Sequence, residues 1–441
     1  MRPLWLSVVA ASGRSRTALV VASTAVVSGL LLVAVSIARL GGGYVREPLL
    51  GPIADPGTRA GAVLAFVLVA MPVALLLDQC VRLGSTAQWR RYQALSVAGA
   101  RRRDLRRWGA IETGVPALAG ALLGVPVWFL LRLLLGDAVT DRGHGAIVPT
   151  VTGPGPWTLV VVASISAYGV FVGRRAAVRA LVSRPRESRP PRPWGLALLA
   201  VVVLSIGHGL GLVGAWPAEE YDDLWTIVTA VLAVLGFATS TPWLAYVLSG
   251  PATRRTSSAA TLLATSRIRA DHGAAGRAAA AVGTVGLTLG VLGVFIPDLL
   301  VSREDLSDLE YYLVPALLVG IVAVLALAVI TLSMSLHSIE STLERRREMS
   351  ALVANGVSPQ VIEAAIRVEC LLVTLPITLL AAVFGAVPYL LLLALGWVQV
   401  LGTLTAVAFA GGAVWLAVQV AARVTRPWLH AAVAASNLRT E

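Results

Sequence analysis

The chain contains no lysine; all 36 of its basic residues are arginine. A Walker A phosphate loop needs a lysine that reaches the β- and γ-phosphates, so no ATP hydrolysis of that kind is expected from this chain. Charge of either sign is scarce, at 14% of residues, where a soluble domain carries about 25%. Cysteine is nearly absent as well. Cys80 and Cys370 lie in or beside apolar stretches and read as small buried hydrophobes, not as a disulfide or a metal pair. There is no H-E-x-x-H, no G-x-S-x-G and no clustered aspartate pair in an apolar run, so the chain is expected not to be an enzyme. Gly209–Gly214 matches G-x-G-x-x-G but sits in an apolar run and follows no strand, which argues against a nucleotide site. His208 has no carboxylate or second histidine in its run and reads as a packing residue.

Apolar residues are abundant instead: 57% of the chain is hydrophobic and the mean hydropathy is +0.79. Runs of about 20 apolar residues recur, each long enough to cross roughly 30 Å of hydrocarbon. The expected fold is an all-α integral membrane protein with ten transmembrane helices, at Thr17–Ala38, Ala60–Leu83, Ala110–Leu135, Trp157–Val172, Trp194–Val213, Leu224–Leu248, Gly276–Phe295, Tyr312–Met334, Val368–Ala394 and Val398–Ala421. The first run follows Arg2, Arg14 and Arg16 and is longer than a signal-peptide core, so an uncleaved helix is expected there. With the N-terminus inside, the outward loops 39–59, 136–156, 214–223, 296–311 and 395–397 hold five Arg and thirteen Asp or Glu. Thirty Arg fall on the inner side, and Arg132 can snorkel at the outer end of the third run. This positive-inside bias places both termini in the cytoplasm. The net charge of +12 thus marks membrane boundaries and implies lipid, not nucleic acid, as its partner.

One segment occurs twice. Trp89–Glu112 (WRRYQALSVAGARRRDLRRWGAIE) and Arg345–Glu369 (RRREMSALVANGVSPQVIEAAIRVE) align without a gap at an offset of 257, the difference between 99 and 356. Arg90 then falls on Arg347, Tyr92 on Met349, Leu95 on Leu352, Gly99 on Gly356, Leu105 on Ile362 and Glu112 on Glu369. The duplication divides the chain into a four-helix unit (1–173), an Arg/Pro linker (174–193), a two-helix spacer (194–250) and a second four-helix unit (251–441). Met1–Arg16 and Pro251–Arg277 read as basic interfacial segments leading into the two units.

Each copy is a polar handle between membrane helices. Met349, Leu352 and Val353 recur at i, i+3 and i+4 and form one apolar face. Gly356 can end that helix in a left-handed cap, and Ser358-Pro359 reads as N-cap and first residue of the next. Glu112 and Glu369 stand where a helix enters the bilayer, and each should seek an arginine; Arg107 and Arg367 are the nearby candidates. By the same reading Glu363 is an ordinary surface carboxylate. Glu112 and Glu369 either pin the fold or take part in gating. Gly120 and Gly124 form a GxxxG pair, and Gly283, Gly286, Gly290 and Gly293 a small-residue stripe; both suit close helix packing, within one pseudosymmetric monomer or between copies of a homodimer.

Arg345, Arg346, Glu348, Leu352 and Gly356 follow the pattern R-R-x-E-x-x-x-L-x-x-x-G, and there the chain resembles the FtsX-like permease family of ABC transporters. The first copy keeps Leu95 and Gly99 but has Arg91 at the acidic position. The resemblance implies that Arg90, Arg91, Leu95 and Gly99 in one handle, and Arg345, Arg346, Arg347, Glu348, Leu352 and Gly356 in the other, form coupling helices. Their partner would be a separate ABC ATPase, a homodimer carrying the ATP and Mg²⁺, with no cofactor on this chain. It implies a permease subunit in a bacterial plasma membrane that exports or extracts an amphiphile (peptide, lipid or lipoprotein), or else a non-transporting subunit that relays ATPase state across the membrane. Family members often carry a large outer domain between the first two helices of a unit; loops 39–59 and 296–311 are too short to fold one.

Overall fold

In hydrocarbon every backbone N–H and C=O must be satisfied within the chain, so long apolar runs fold as helices. A computed structural model describes residues 14–41, 49, 51–54, 56–81, 85–137, 145–150, 152–181, 192–209, 222–301, part of 320–342, 346–392 and 396–432. Among these residues the chain is all-helical with no strand, apart from an isolated bridge between Leu49 and Ala146. Seven helices are long and apolar enough to cross a membrane: Arg16–Ala38, Arg102–Asp137, Trp157–Val178, Val231–Arg255, Ala275–Val294, Pro359–Val387 and Trp397–His430. They take in seven of the ten expected runs. Of the others, the second lies mostly in the helix Pro56–Cys80, and the fifth is a 16-residue helix, Trp194–Gly209. The eighth falls largely outside the described residues.

The chain forms two compact units, the first made of Met1–Arg184, Ala218–Val228 and Glu304–Val319. Its helices are α1 (Arg14–Ala38), α2 (Gly51–Ala54), α3 (Pro56–Cys80), α4 (Ser85–Val97), α5 (Arg102–Arg132) and α6 (Trp157–Leu181), with a π-turn at Leu133–Asp137 after α5. Helices α1 and α5 lie together because Gly120 and Gly124 present no side chain at their contact. A Cβ at Gly120 would overlap Thr24 Oγ1 and the Val21 carbonyl, and one at Gly124 would overlap Ser28. Polar bonds tie the same pair: Ser28 Oγ donates to the Ala121 carbonyl at 2.9 Å, and Trp128 Nε1 donates to Ser36 Oγ at 3.1 Å. Helix α6 meets α5 where Gly109 and Gly173 face each other's carbonyls. At the far end of the unit Arg59 donates to the carbonyls of Ile53 and Ala54, both at 2.9 Å, and to that of Gly41. It thereby satisfies carbonyls that end the short helix α2.

The second unit comprises Pro185–Pro217, Thr229–Arg303 and Gly320–Glu441. Its helices are α7 (Trp194–Gly209), α8 (Asp222–Arg255), α9 (Ala259–Ala270), α10 (His272–Val301), α11 (Arg346–Ala354), α12 (Pro359–Leu392) and α13 (Trp397–Ala432). The close pair is α10 with α12, again the first and third helices of a four-helix set. Here glycines stand on both sides of the contact, and Gly385 of α12 lies against the Leu287 backbone of α10. Gly286 and Gly290, on the first helix, face Thr378 and Ala382 on the third. Gly293 faces Gly402 and Ala406 of α13, and Gly283 faces Phe237 of α8 and Ile377 of α12. The stripe therefore serves three neighbours within one chain. Helix α7 and α8 from Thr229 onward pack within this unit: Phe237 joins Ile268, Leu287, Val373 and Ile377 in its core, and Gly195 of α7 lies against Gly236 and Ser240 of α8.

Candidate functional site

The two handles end in the same turn. Gly99 and Gly356 have φ of +92° and +93°, with open space where a Cβ would stand, so the backbone angle and not crowding calls for glycine. In the first, the N–H of Ala100 donates to the Leu95 carbonyl at 2.9 Å and that of Gly99 to Ser96 at 3.1 Å. In the second, Val357 donates to Leu352 at 3.0 Å and Gly356 to Val353 at 2.9 Å. This is the Schellman arrangement at both ends. The next helices start at Arg102 and Pro359, which keeps the offset of 257. The first start is held by the Arg101 N–H donating to the Asp104 carboxylate at 3.2 Å. The second uses proline, whose missing N–H costs nothing at a first helical position. Each handle thus breaks once and runs without further interruption into the third helix of its unit.

The apolar face of each handle packs on its own unit. Tyr92 is buried with Leu105 of α5 and Ala177 of α6, flanked by Ala100 and Trp108. Met349 is buried with Ile362 of α12 and Leu429 of α13, flanked by Leu352, Val353, Val357 and Ile366. Leu352 is partly buried in this cluster: a short amphipathic helix buries its one apolar stripe against the nearest apolar surface, here its own unit. The free surface is the opposite face and the turn. In the first handle Leu95 is 38% exposed and Val97 is 89% exposed. In the second, Arg346, Glu348, Ala354, Asn355, Gly356, Ser358 and Gln360 are exposed. Arg345 and the side chains of Arg90 and Arg347 lie outside the described residues.

Beneath the first handle is a buried polar node. Arg16 Nη1 stands 2.6 Å from Glu112 Oε1, with the two side chains 5% and 4% exposed. Tyr92 of the handle donates its hydroxyl to Glu112 Oε2 at 2.7 Å, and Arg16 Nη2 donates to Thr113 Oγ1 at 3.5 Å. Arg91 approaches to 4.0 Å, which gives a physical reason for a basic residue at the position where the resemblance expects an acidic one. Glu112 therefore joins α1, α4 and α5. Its partner is Arg16 and not Arg107, whose side chain is exposed.

The second unit differs. Glu369 stands 3.8 Å from Arg267 of α9 and is 32% exposed. Arg367, its expected partner, instead pairs with Glu363 one turn away, and Arg426 of α13 approaches the same carboxylate at 3.5 Å. Glu363, read as a surface group, is the better buried of the two carboxylates and ties α12 to α13. The common feature is that each membrane-entry carboxylate pairs with an arginine at or just before the first helix of its own unit, Arg16 or Arg267. Met349 in place of Tyr92 leaves the second handle without a hydroxyl at that position. Sequence reading missed Arg16, Arg267 and Arg426; the mismatch of Tyr92 with Met349 in the repeat was the available signal for a polar tie in one unit alone.

Among the described residues, fold and site together define an all-helical chain with seven helices long and apolar enough to cross a membrane and one capped handle in each compact unit. No protein-family model matches it, and no curated protein does.

Proposed function

We propose that the chain is the permease subunit of an ABC transporter, a ten-helix protein of the bacterial plasma membrane with both termini cytoplasmic. Its handles dock a separate homodimeric ATPase that binds the ATP and Mg²⁺, and the cargo is an amphiphile exported through or extracted from the bilayer. The observation that supports this reading most is the repeated handle: two helices closed by the same glycine turn at one constant offset, each continuing into a membrane-entering helix. A helix that breaks once and then runs through the bilayer can pass rigid-body motion from a partner into the membrane core.

The test uses the exposed positions. Val97→Asp and Ala354→Asp occupy equivalent sites one residue before each turn and leave the packed clusters intact. Both variants are expected to fold, with a helical content and thermal midpoint close to the parent. Combined, they should weaken co-purification of the ATPase by at least about tenfold, since an unpaired charge at an interface core costs about 2 kcal/mol or more. Full ATPase binding and stimulation by the folded double variant would remove the coupling assignment. Leu352→Asp is a poorer probe, because it opens the Met349–Ile362–Leu429 cluster.

The topology has its own check. In a background with Cys80 and Cys370 replaced by alanine, single cysteines at Ala218 and Ser307 should react with an impermeant maleimide in intact cells. Cysteines at Arg101 and Arg346 should react only after lysis. Labelling of the handles from outside would invert the orientation and place them away from ATP.

A further inference from the structure

We infer that the junction of α8, α9 and α10 is a binding site for a phosphate group, supplied by the headgroup of an anionic lipid. Helix α9 ends at Ala270 and α10 begins at His272, so Arg269 and His272 flank the one-residue break at Asp271. Both approach Tyr246 of α8. The Arg269 guanidinium carbon lies 5.7 Å from the centre of the tyrosine ring, and the His272 ring meets it edge-on at 6.0 Å. A cation held against an aromatic face in this way is fixed in place but keeps its donors available. Arg269 Nε and His272 Nδ1 are both buried and have no hydrogen-bond partner. Buried guanidinium Nε atoms like that of Arg269 also occur at Arg16, Arg132, Arg277 and Arg367; the imidazole nitrogen on the same tyrosine sets the junction apart. Buried polar groups are rarely left unsatisfied, and a neighbouring pair of them points to a ligand.

The chemistry of that ligand follows from its surroundings. Arginine and imidazole call for an acceptor, and the N-terminus of the 30-residue helix α10 opens at His272 with its dipole positive. Tyr246, Gly250 and Arg254 recur every four residues along α8, so the exposed Arg254 extends the tyrosine's face to the helix end. A Cβ on Gly250 would stand 3.3 Å from Arg269 Nη2, so the glycine leaves the guanidinium its room. Asp271 and Arg277 border the junction at Gly273, where a Cβ would stand 3.7 Å from the carboxylate and 3.0 Å from the second guanidinium. Position selects the source. Tyr246 lies in the span Val231–Arg255, and the span Ala275–Val294 starts three residues after His272. The donors therefore sit at the depth of lipid headgroups, where a basic pocket between helices meets phosphate. The inference does not depend on the transporter reading.

The experiment takes the full-length protein in neutral detergent and measures lipid retention by native mass spectrometry, with phosphatidylglycerol and phosphatidylcholine as probes. The parent should retain phosphatidylglycerol preferentially. Arg269→Gln should weaken that retention about fivefold, the value of one basic residue near an anionic surface. Arg103→Gln, at an exposed arginine of α5, should leave it unchanged. Equal retention by the parent and Arg269→Gln overturns the inference, as does equal retention of the two lipids with no thermal stabilisation by inorganic phosphate. Thermal stabilisation by inorganic phosphate that is lost in Arg269→Gln, with no lipid preference, would keep the phosphate site and assign it to a free anion. Should Arg269→Gln fail to fold, His272→Ala carries the same comparison and the same outcomes.

Discussion

Glu112→Ala is expected to be among the most damaging single changes to the folded chain, and Glu369→Ala to be mild. Removing the Glu112 carboxylate leaves the Arg16 guanidinium buried without its counter-charge and the Tyr92 hydroxyl without its acceptor. Breaking one side of such a pair costs about 3–5 kcal/mol, most of it from the charge left behind. Glu369 is one-third exposed and its arginine is 3.8 Å away, so water screens the loss and the cost is about 1 kcal/mol or less. The check is a denaturation midpoint for each full-length variant in detergent. Replacing both Arg16 and Glu112 by leucine should recover much of the deficit, because no unpaired charge remains; the Tyr92 hydroxyl keeps the recovery incomplete. Equal midpoints for the two single variants would mean that Glu112 is solvated and that the node does not hold the first handle to α1 and α5.

Gly290→Ala is expected to destabilise strongly, whereas Gly412→Ala should be neutral or slightly stabilising. Both glycines lie inside long helices, where alanine alone would be preferred by about 1 kcal/mol. At Gly290 a Cβ would fall on the backbone of Ala382, overlapping its carbonyl oxygen and lying 2.7 Å from the carbonyl carbon. Backbone cannot rotate away as a side chain can, so α10 and α12 must separate along their contact, at a cost above the usual overpacking range of about 1–3 kcal/mol. At Gly412 nothing stands within 4 Å of the added carbon. Thermal midpoints of the two variants should move in opposite directions, or at least differ by several degrees. A Gly290→Ala protein as stable as the parent would show that these helices do not touch there.

The handles were legible in the sequence because their signals are local. The turns at Gly99 and Gly356 need a residue that tolerates φ near +92°, and Pro359 suits a first helical position. The need for a counter-charge at Glu112 was legible too, but not its identity: Arg16 stands 96 positions away in the chain, and the nearer Arg107 points to the surface. The repeat could not show which side of the contact carries the glycines. Gly120 and Gly124 lie on the third helix of one unit and Gly286 and Gly290 on the first of the other, with Gly29 and Gly385 on the opposite sides, since only the sum of the two side chains across the contact is constrained.

By itself the sequence determined what depends on period, length and backbone angle: apolar runs that fold as helices, two handles in register at an offset of 257, and glycine at the end of each. Tertiary structure alone decided which face is covered and which charge meets which. Leu352 turned inward because Ile362 and Leu429 were there to receive it. Glu363 became a buried clamp because α13 brings Arg426 within 3.5 Å of it. An apolar stripe or a carboxylate states a requirement, but the group that meets it is set by which helices come together, and a linear pattern carries no record of that.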